Sequence, residues 1–334
     1  YPLQYDDISY GRDLLDVSVV GYFTNATPGG ANATLGAGFA SEVKFSRPGG
    51  TFQQTFPLTL VTDGGNTQIR YFLVTNATSA ALTDVPNGTS PIYTGPLNIS
   101  GSVQVRARAF STQTNIFPGP PVTETYLQIT AGAAAFVSDV PIILLHNFNG
   151  GTPPATADQS GVMMVFGTSF GRASMLNPPD VTARMGLNIR GSSTQGNAKK
   201  SFAIETWDEY NNDLKVPVLD LPSESDWVLY APNYFDKSLI HNSFMHELSR
   251  QIDRYSPRVR MVEVFTSFGT GAVNYTSPLV GNYNGIYVLE EKIKADDQRV
   301  DIAKLDPVDT NAPAITGGYM MKVDRADSDE RSLG

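Results

Sequence analysis

The chemistry-bearing residues of this chain concentrate around one turn. Arg190-Gly191-Ser192-Ser193 follows Met185-Gly186-Leu187-Asn188-Ile189, which alternates as a strand, and the small hydroxyl-rich run continues to Gly196. Backbone N–H groups and hydroxyls in such a turn can hold phosphate oxygens. The returning strand opens with Lys199 and Lys200 before Phe202-Ala203-Ile204. A lysine there can neutralise α/β-phosphate charge, as a strand lysine does in protein kinases. The same residues also read as an ordinary β-hairpin with an exposed basic edge, and the local pattern leaves both readings open.

Other chemistries are excluded or weak. There is no Gly-x-x-x-x-Gly-Lys-Ser/Thr loop and no Gly-x-Gly-x-x-Gly fingerprint. Cysteine is absent, which removes disulfides, thiolate zinc sites and cysteine nucleophiles. His246-Glu247 has no second histidine at zincin spacing, and His241 and His246 fall on different faces of a helix. Only His146 remains besides, too few for a histidine metal cluster. Gly167-Thr168-Ser169-Phe170-Gly171 fits the letters of a serine-hydrolase elbow, but Pro178-Pro179 leaves no room for the helix that must follow.

Several elements must position the turn. Asp226-Trp227-Val228-Leu229 reads as a strand. Asp236 is placed as the N-cap of a helix through Ile252, with Leu239-Ile240, Phe244, Leu248 and Ile252 as an inward stripe and Glu247 beside it. Arg260-Met261-Val262-Glu263-Val264-Phe265 and Tyr283-Asn284-Gly285-Ile286-Tyr287-Val288-Leu289-Glu290 read as adjacent strands, the second running into Glu291-Lys292-Ile293.

The order and spacing of Arg190-Gly191-Ser192-Ser193, Lys199-Lys200-Ser201-Phe202, the Trp227 strand, the Asp236 helix, Gly285 to Lys292, Arg299-Val300-Asp301-Ile302 and Gly317-Gly318-Tyr319 resemble the CotH family, the spore-coat-protein-H-like atypical kinases of secreted and surface proteins. The resemblance spans residues 140–324. It implies the N-terminal part of a CotH-like domain over 136–334, an α+β kinase-like lobe, ATP and Mg²⁺ as cofactors, and phosphoryl transfer to protein hydroxyls. Arg190, Ser192, Ser193, Lys200 and Glu247 become the implied nucleotide-binding residues, with Glu247 orienting Lys200; a solvated helix glutamate is the competing reading. Such proteins carry their catalytic and metal-binding aspartates near an Asn-Tyr-Tyr-Leu-Tyr strand and a Pro-Trp-Asp turn. Neither occurs here: Trp207 and Trp227 are the only tryptophans and neither follows a proline. Asp301, Asp306, Asp324 and Asp327 are not assigned in their place, so the catalytic residues stay unknown and the catalytic half is expected to lie outside this chain. The alternative is a non-catalytic structural or adhesive component of an extracellular or cell-surface assembly, touching neighbouring surface proteins.

The chain has 334 residues, 41% hydrophobic and 17% charged, as a folded, core-forming protein requires. Its net charge of −9, from 33 acidic against 24 basic residues, argues against nucleic acid as a partner. No apolar run approaches the roughly 18 residues of a membrane span; the best, residues 133–145, is interrupted by Ser138, Asp139 and Pro141. Six Asn-x-Ser/Thr sequons, at Asn25, Asn32, Asn76, Asn87, Asn98 and Asn274, read as unmodified loop chemistry. Tyr1 is not an initiator methionine, and both ends read as cut; an extracellular or cell-surface place, in a bacterium, is expected.

Charge density divides the chain. Residues 1–135 hold 8 of the acidic and 6 of the basic side chains, leaving 25 and 18 for 136–334. The first part is Thr-, Gly- and Pro-rich with short alternating runs, as in an antiparallel β-sandwich. In Val103 to Phe110 the small apolar residues alternate with Gln104, Arg106 and Arg108, as on a half-buried strand. With Phe45 to Phe52, Ile69-Arg70-Tyr71-Phe72 and Tyr93 to Ser100, this strand resembles the immunoglobulin-like C-terminal module of chitobiase and β-hexosaminidase over 39–131. The resemblance implies a spacer able to contact carbohydrate. Residues 1–38 read as a linker or as the trailing edge of a lamin-tail-like β-domain. The expected fold is thus multidomain, an all-β immunoglobulin-like sandwich followed by an α+β lobe.

Overall fold

The computed structural model describes residues 8–320 except Leu15, Ala26, Ala31, Ala33, Thr34, 233–235 and Leu279. Of the CotH-like run from Gly317 to Asp324, residues 317–320 are described and form no strand, while 321–324 and the acidic run Asp327-Ser328-Asp329-Glu330 lie outside the described residues, as do residues 1–7 of 1–38. Among the described residues no helix is long and apolar enough to cross a membrane.

The first part is built on a four-stranded sheet of Gly50–Phe52 (β1), Thr67–Val74 (β2), Val103–Ser111 (β3) and Val122–Gln128 (β4), in the order β1-β4-β3-β2. Only β1 and β4 run parallel. Two-stranded ribbons, Val43–Phe45 with Leu60–Thr62 and Phe56–Leu58 with Leu97–Ile99, share its core through Val43, Leu58, Leu60, Ile99, Val105 and Tyr126. The small residues Ala107 and Ala109 let the ribbons approach the sheet closely. The polar face of β3 departs from the expectation. Gln104 and Arg106 are fully buried rather than solvated: Gln104 donates to Thr125, and Arg106 is capped by the carbonyls of residues 81–84 and by Glu209 of the second part.

That second part, expected as an α+β lobe, is a closed seven-stranded barrel with one eleven-residue helix. Its strands are Ile142–His146 (β5), Gln159–Phe166 (β6), Val181–Arg190 (β7), Ser201–Trp207 (β8), Asp226–Tyr230 (β9), Val259–Ser267 (β10) and Tyr283–Glu291 (β11). Around the barrel they follow β5-β6-β7-β8-β9-β11-β10, and β10 returns to β5 as the only parallel pair. The period of two decides the interior. Ile143 and Leu145, Met163 and Val165, Met185 and Leu187, Phe202 and Ile204, Trp227 and Leu229, Val262 and Val264, Tyr287 and Leu289 all point inward into one cluster.

β5 reads Ile142-Ile143-Leu144-Leu145 without alternation because it is buried on both faces. Ile142 and Leu144 pack outward with Val162, Met164 and Phe265 against Val74, Leu127 and Ile129 of the first part. Gly186 is needed where Trp207 crosses β7: a Cβ there would lie 2.3 Å from the indole ring.

The helix, His241–Gln251 (α1), starts five residues after Asp236 rather than at it. Asp236 still acts on its start, accepting from the His241 N–H at 3.0 Å and from the Ser238 hydroxyl at 2.8 Å. Asp236→Ala is expected to cost about 1 kcal/mol, the usual worth of a side chain that satisfies a helix-start N–H, readable as a shift in the urea midpoint with an unchanged slope. The expected inward stripe is overturned: Ile240, Phe244, Leu248 and Ile252 are 40–64% exposed, and no residue of α1 is buried. The stripe has the right period but faces away from the barrel.

Candidate functional site

Four adjacent barrel strands, β7, β8, β9 and β11, frame a cavity of 270 Å³ on the outer face of the barrel. Arg190 stands at the end of β7 opposite Ser201 of β8. Val228 and Tyr230 of β9 form the floor, and Glu290 of β11 lies opposite Val228. From Arg190 to Glu290 the cavity crosses three strand spacings, roughly 14 Å. Its sides are closed by Gly191, Thr194 and Asn197 of the β7–β8 turn and by Asn242 from the start of α1.

The turn is tight for a specific reason. Gly191 has φ +98°, and a Cβ there would sit on the Thr194 hydroxyl; a residue with a side chain would be strained at that angle. Ser193–Gly196 then forms a single 3₁₀ turn, and Asn197 donates its N–H back to the Thr194 carbonyl at 3.1 Å.

Two cations and one acid meet in the cavity. Lys199 bends over the barrel end, donating to the Ile286 and Pro232 carbonyls, with its Nζ 4.6 Å from the centre of the Tyr287 ring. Burial pulls its pKa down to about 8, and the Glu263 carboxylate opposes that shift. Glu290 is pushed up to about 7 by burial, against the pull of Arg190, and its Oε1 is buried with no hydrogen-bond partner. Lys199 and Glu290 line the same cavity, so an anion entering it would favour the charged ammonium and the protonated acid.

The expected site residues separate. Arg190 lines the cavity, and Ser192 and Ser193 sit exposed on the outside of its turn. Lys200 does not line it; its Nζ donates to the Gln195 carbonyl and closes its own hairpin. Its neighbour Lys199 lines the cavity instead. Glu247 is not brought to Lys200: on the exposed flank of α1 it pairs with Arg250 and accepts from Gln251 at 3.1 Å, the neighbours three and four residues on. Alternation does not choose between the two lysines: both precede β8, which begins at Ser201, and Lys199 sits in a bend. Glu290 is legible from alternation, as the polar outward residue between Leu289 and Glu291.

No curated protein matches this chain. A model of the family described as CotH kinase protein matches residues 187–333, so the segment holding the Gly191 turn, Lys199, α1 and Glu290 is similar to that family.

Proposed function

We propose that this cavity takes the phosphates of a nucleoside triphosphate and that the barrel is the nucleotide-holding part of a CotH-like phosphotransferase of the bacterial surface or exterior. The observation that carries the reading is the convergence of Arg190 and Lys199 on one cavity beside the N–H groups of the Gly191 turn. Fixed cations and backbone donors are what phosphoryl oxygens need, and phosphoryl transfer leaves a protein little else to do. ATP is the nucleotide the family match favours. Among the described residues no three Asp, Glu, His or Cys side chains are placed to hold a metal ion; Mg²⁺ would enter as the counter-ion of the phosphates. The transfer itself would break the bond between the γ-phosphorus and the ADP oxygen and form one to a protein hydroxyl, whose proton would pass to a general base.

Titration calorimetry with Mg·ATP tests the binding step. Arg190→Ala and Lys199→Ala should each weaken binding roughly tenfold, the worth of one charge-assisted contact, and Lys200→Ala should leave it unchanged. Binding indifferent to Arg190 and Lys199 would remove the reading. The second reading, a structural component of a surface assembly, is favoured by the exposed apolar stripe of α1. Absence of ATP binding together with self-assembly in sedimentation would turn the choice toward it.

A further inference from the structure

A cavity about twice the volume of the one lined by Arg190 lies elsewhere, at the seam between the two parts. It measures 570 Å³ and is walled by Phe39, Pro118, Pro120 and Tyr210, with Arg108 and Asn212 among its polar groups. Its size falls within the range of about 300–1,000 Å³ typical of small-molecule sites, which favour such seams.

We propose that this seam cavity binds a short, uncharged oligosaccharide, with Tyr210 as the stacking platform and Arg108 and Asn212 as the groups that read its hydroxyls. A sugar ring offers a flat C–H face and a rim of hydroxyls, so its site needs an exposed flat ring beside planar polar groups with spare capacity. Tyr210 is 52% exposed. Arg108 hydrogen-bonds through its Nε alone, to the Gly119 carbonyl at 2.6 Å, with its guanidinium 5.7 Å from the Phe110 ring centre; no described residue accepts from its two Nη groups. Asn212 is exposed and gives its Nδ2 to Asp208 at 3.1 Å, with its Oδ1 open to a donor.

The platform is also held rigid. Asp208 Oδ1 accepts from the N–H groups of Tyr210 and Asn212 at 2.7 and 2.9 Å, fixing the turn that carries them. The buried guanidiniums of Arg106 and Arg184 hold the same turn through the carbonyls of Glu209 and Asp208. Little order is then lost on binding. Charge selects the ligand class. Both carboxylates at the cavity are already engaged, Asp208 within its turn and Glu209 by Arg106 and Thr123. They would nevertheless repel a polyanion such as a nucleotide. A purely apolar ligand would leave the Arg108 donors unpaired.

The test is titration of the full chain with cellotriose, maltotriose and N,N′,N″-triacetylchitotriose. At least one should bind with Kd below about 1 mM. Tyr210→Ala and Arg108→Lys should each weaken it roughly tenfold, while Tyr210→Phe, which keeps the ring, should retain it. Arg190→Ala should leave it untouched, so this site stands or falls apart from the nucleotide cavity. Failure of all three sugars, binding that survives both weakening substitutions, or a proline-rich decapeptide binding in their place with the same Tyr210 dependence would overturn the proposal.

Discussion

Arg106→Ala is expected to lower the stability of the protein by about 3–5 kcal/mol, the cost of breaking a buried ion pair from one side. The side chain has no exposed surface, and its ion pair is with Glu209 across the seam at 3.1 Å. Its Nη1 donates to the carbonyls of Ala81, Leu82 and Asp84, and its Nε to Thr123 at 3.2 Å. Alanine would orphan those acceptors and leave the Glu209 charge with only the Thr123 hydroxyl. Arg184 stands beside it, its own pKa pulled down to about 10 by burial, and reaches Leu82 and Asn211. The two guanidiniums therefore tie the first part of the chain to the barrel. Unfolding in guanidinium chloride should show a lower midpoint for Arg106→Ala and a split into two transitions as the parts uncouple. A single transition shifted by less than about 1 kcal/mol would mean that the apolar contact alone joins them. Glu209→Gln, which keeps the hydrogen bonds and removes the charge, should cost less.

Arg106 also shows what was legible and what was not. Alternation placed Val103, Val105, Ala107 and Ala109 on the core side of β3, and the structure agrees. It also assigned Gln104 and Arg106 to solvent, because periodicity within a strand reports one face and is silent about a partner that covers the other. The α1 stripe fails in the opposite sense. Its spacing marks an apolar face correctly, but spacing does not say whether the cover belongs to the same part of the chain, and here the face is exposed. The adjacent strands at Arg260 to Phe265 and Tyr283 to Glu290 are readable from their β-branched and aromatic content, and the hairpin at Arg190 from the alternation of Met185 to Arg190. Barrel closure was not, because it depends on the parallel contact of Ile142–His146 with Glu263–Ser267, more than a hundred residues apart.

The candidate site was half visible for related reasons. Arg190 and the Gly191 turn are local features, and the sequence places them. Choosing between two neighbouring lysines depends on the course of the turn before β8, which strand alternation does not set. The pairing of Glu247 with Lys200 presumes a helix that packs on its sheet. In this molecule α1 turns that flank outward, where Arg250 and Gln251 are nearer partners.

Glu290→Gln is expected to stabilise the protein by about 3 kcal/mol above pH 7 and hardly at all near pH 4.5. The acid is pushed up to about 7 in the fold by burial, from an ordinary value of 4.5. Below pH 4.5 both folded and unfolded chains hold the proton, and the group is neutral to stability. Between pH 4.5 and 7 the unfolded chain ionises first, so it binds fewer protons than the folded one and stability falls as pH rises. Above pH 7 the fold carries the full cost of a buried carboxylate whose Oε1 has no partner. Glutamine keeps the shape and removes the titration. His146, buried and pulled down to about 4, gives the opposite slope at lower pH, but it is common to both proteins and cancels in their difference. Lys199 stays charged below about 8, so urea melts at half-unit steps from pH 4.5 to 7.5 isolate Glu290. A difference between the two proteins that does not grow across that window would show that the carboxyl titrates as it does in water. Added Mg·ATP should shift the same window upward, since phosphates near Arg190 and Lys199 would hold the proton on Glu290 more tightly.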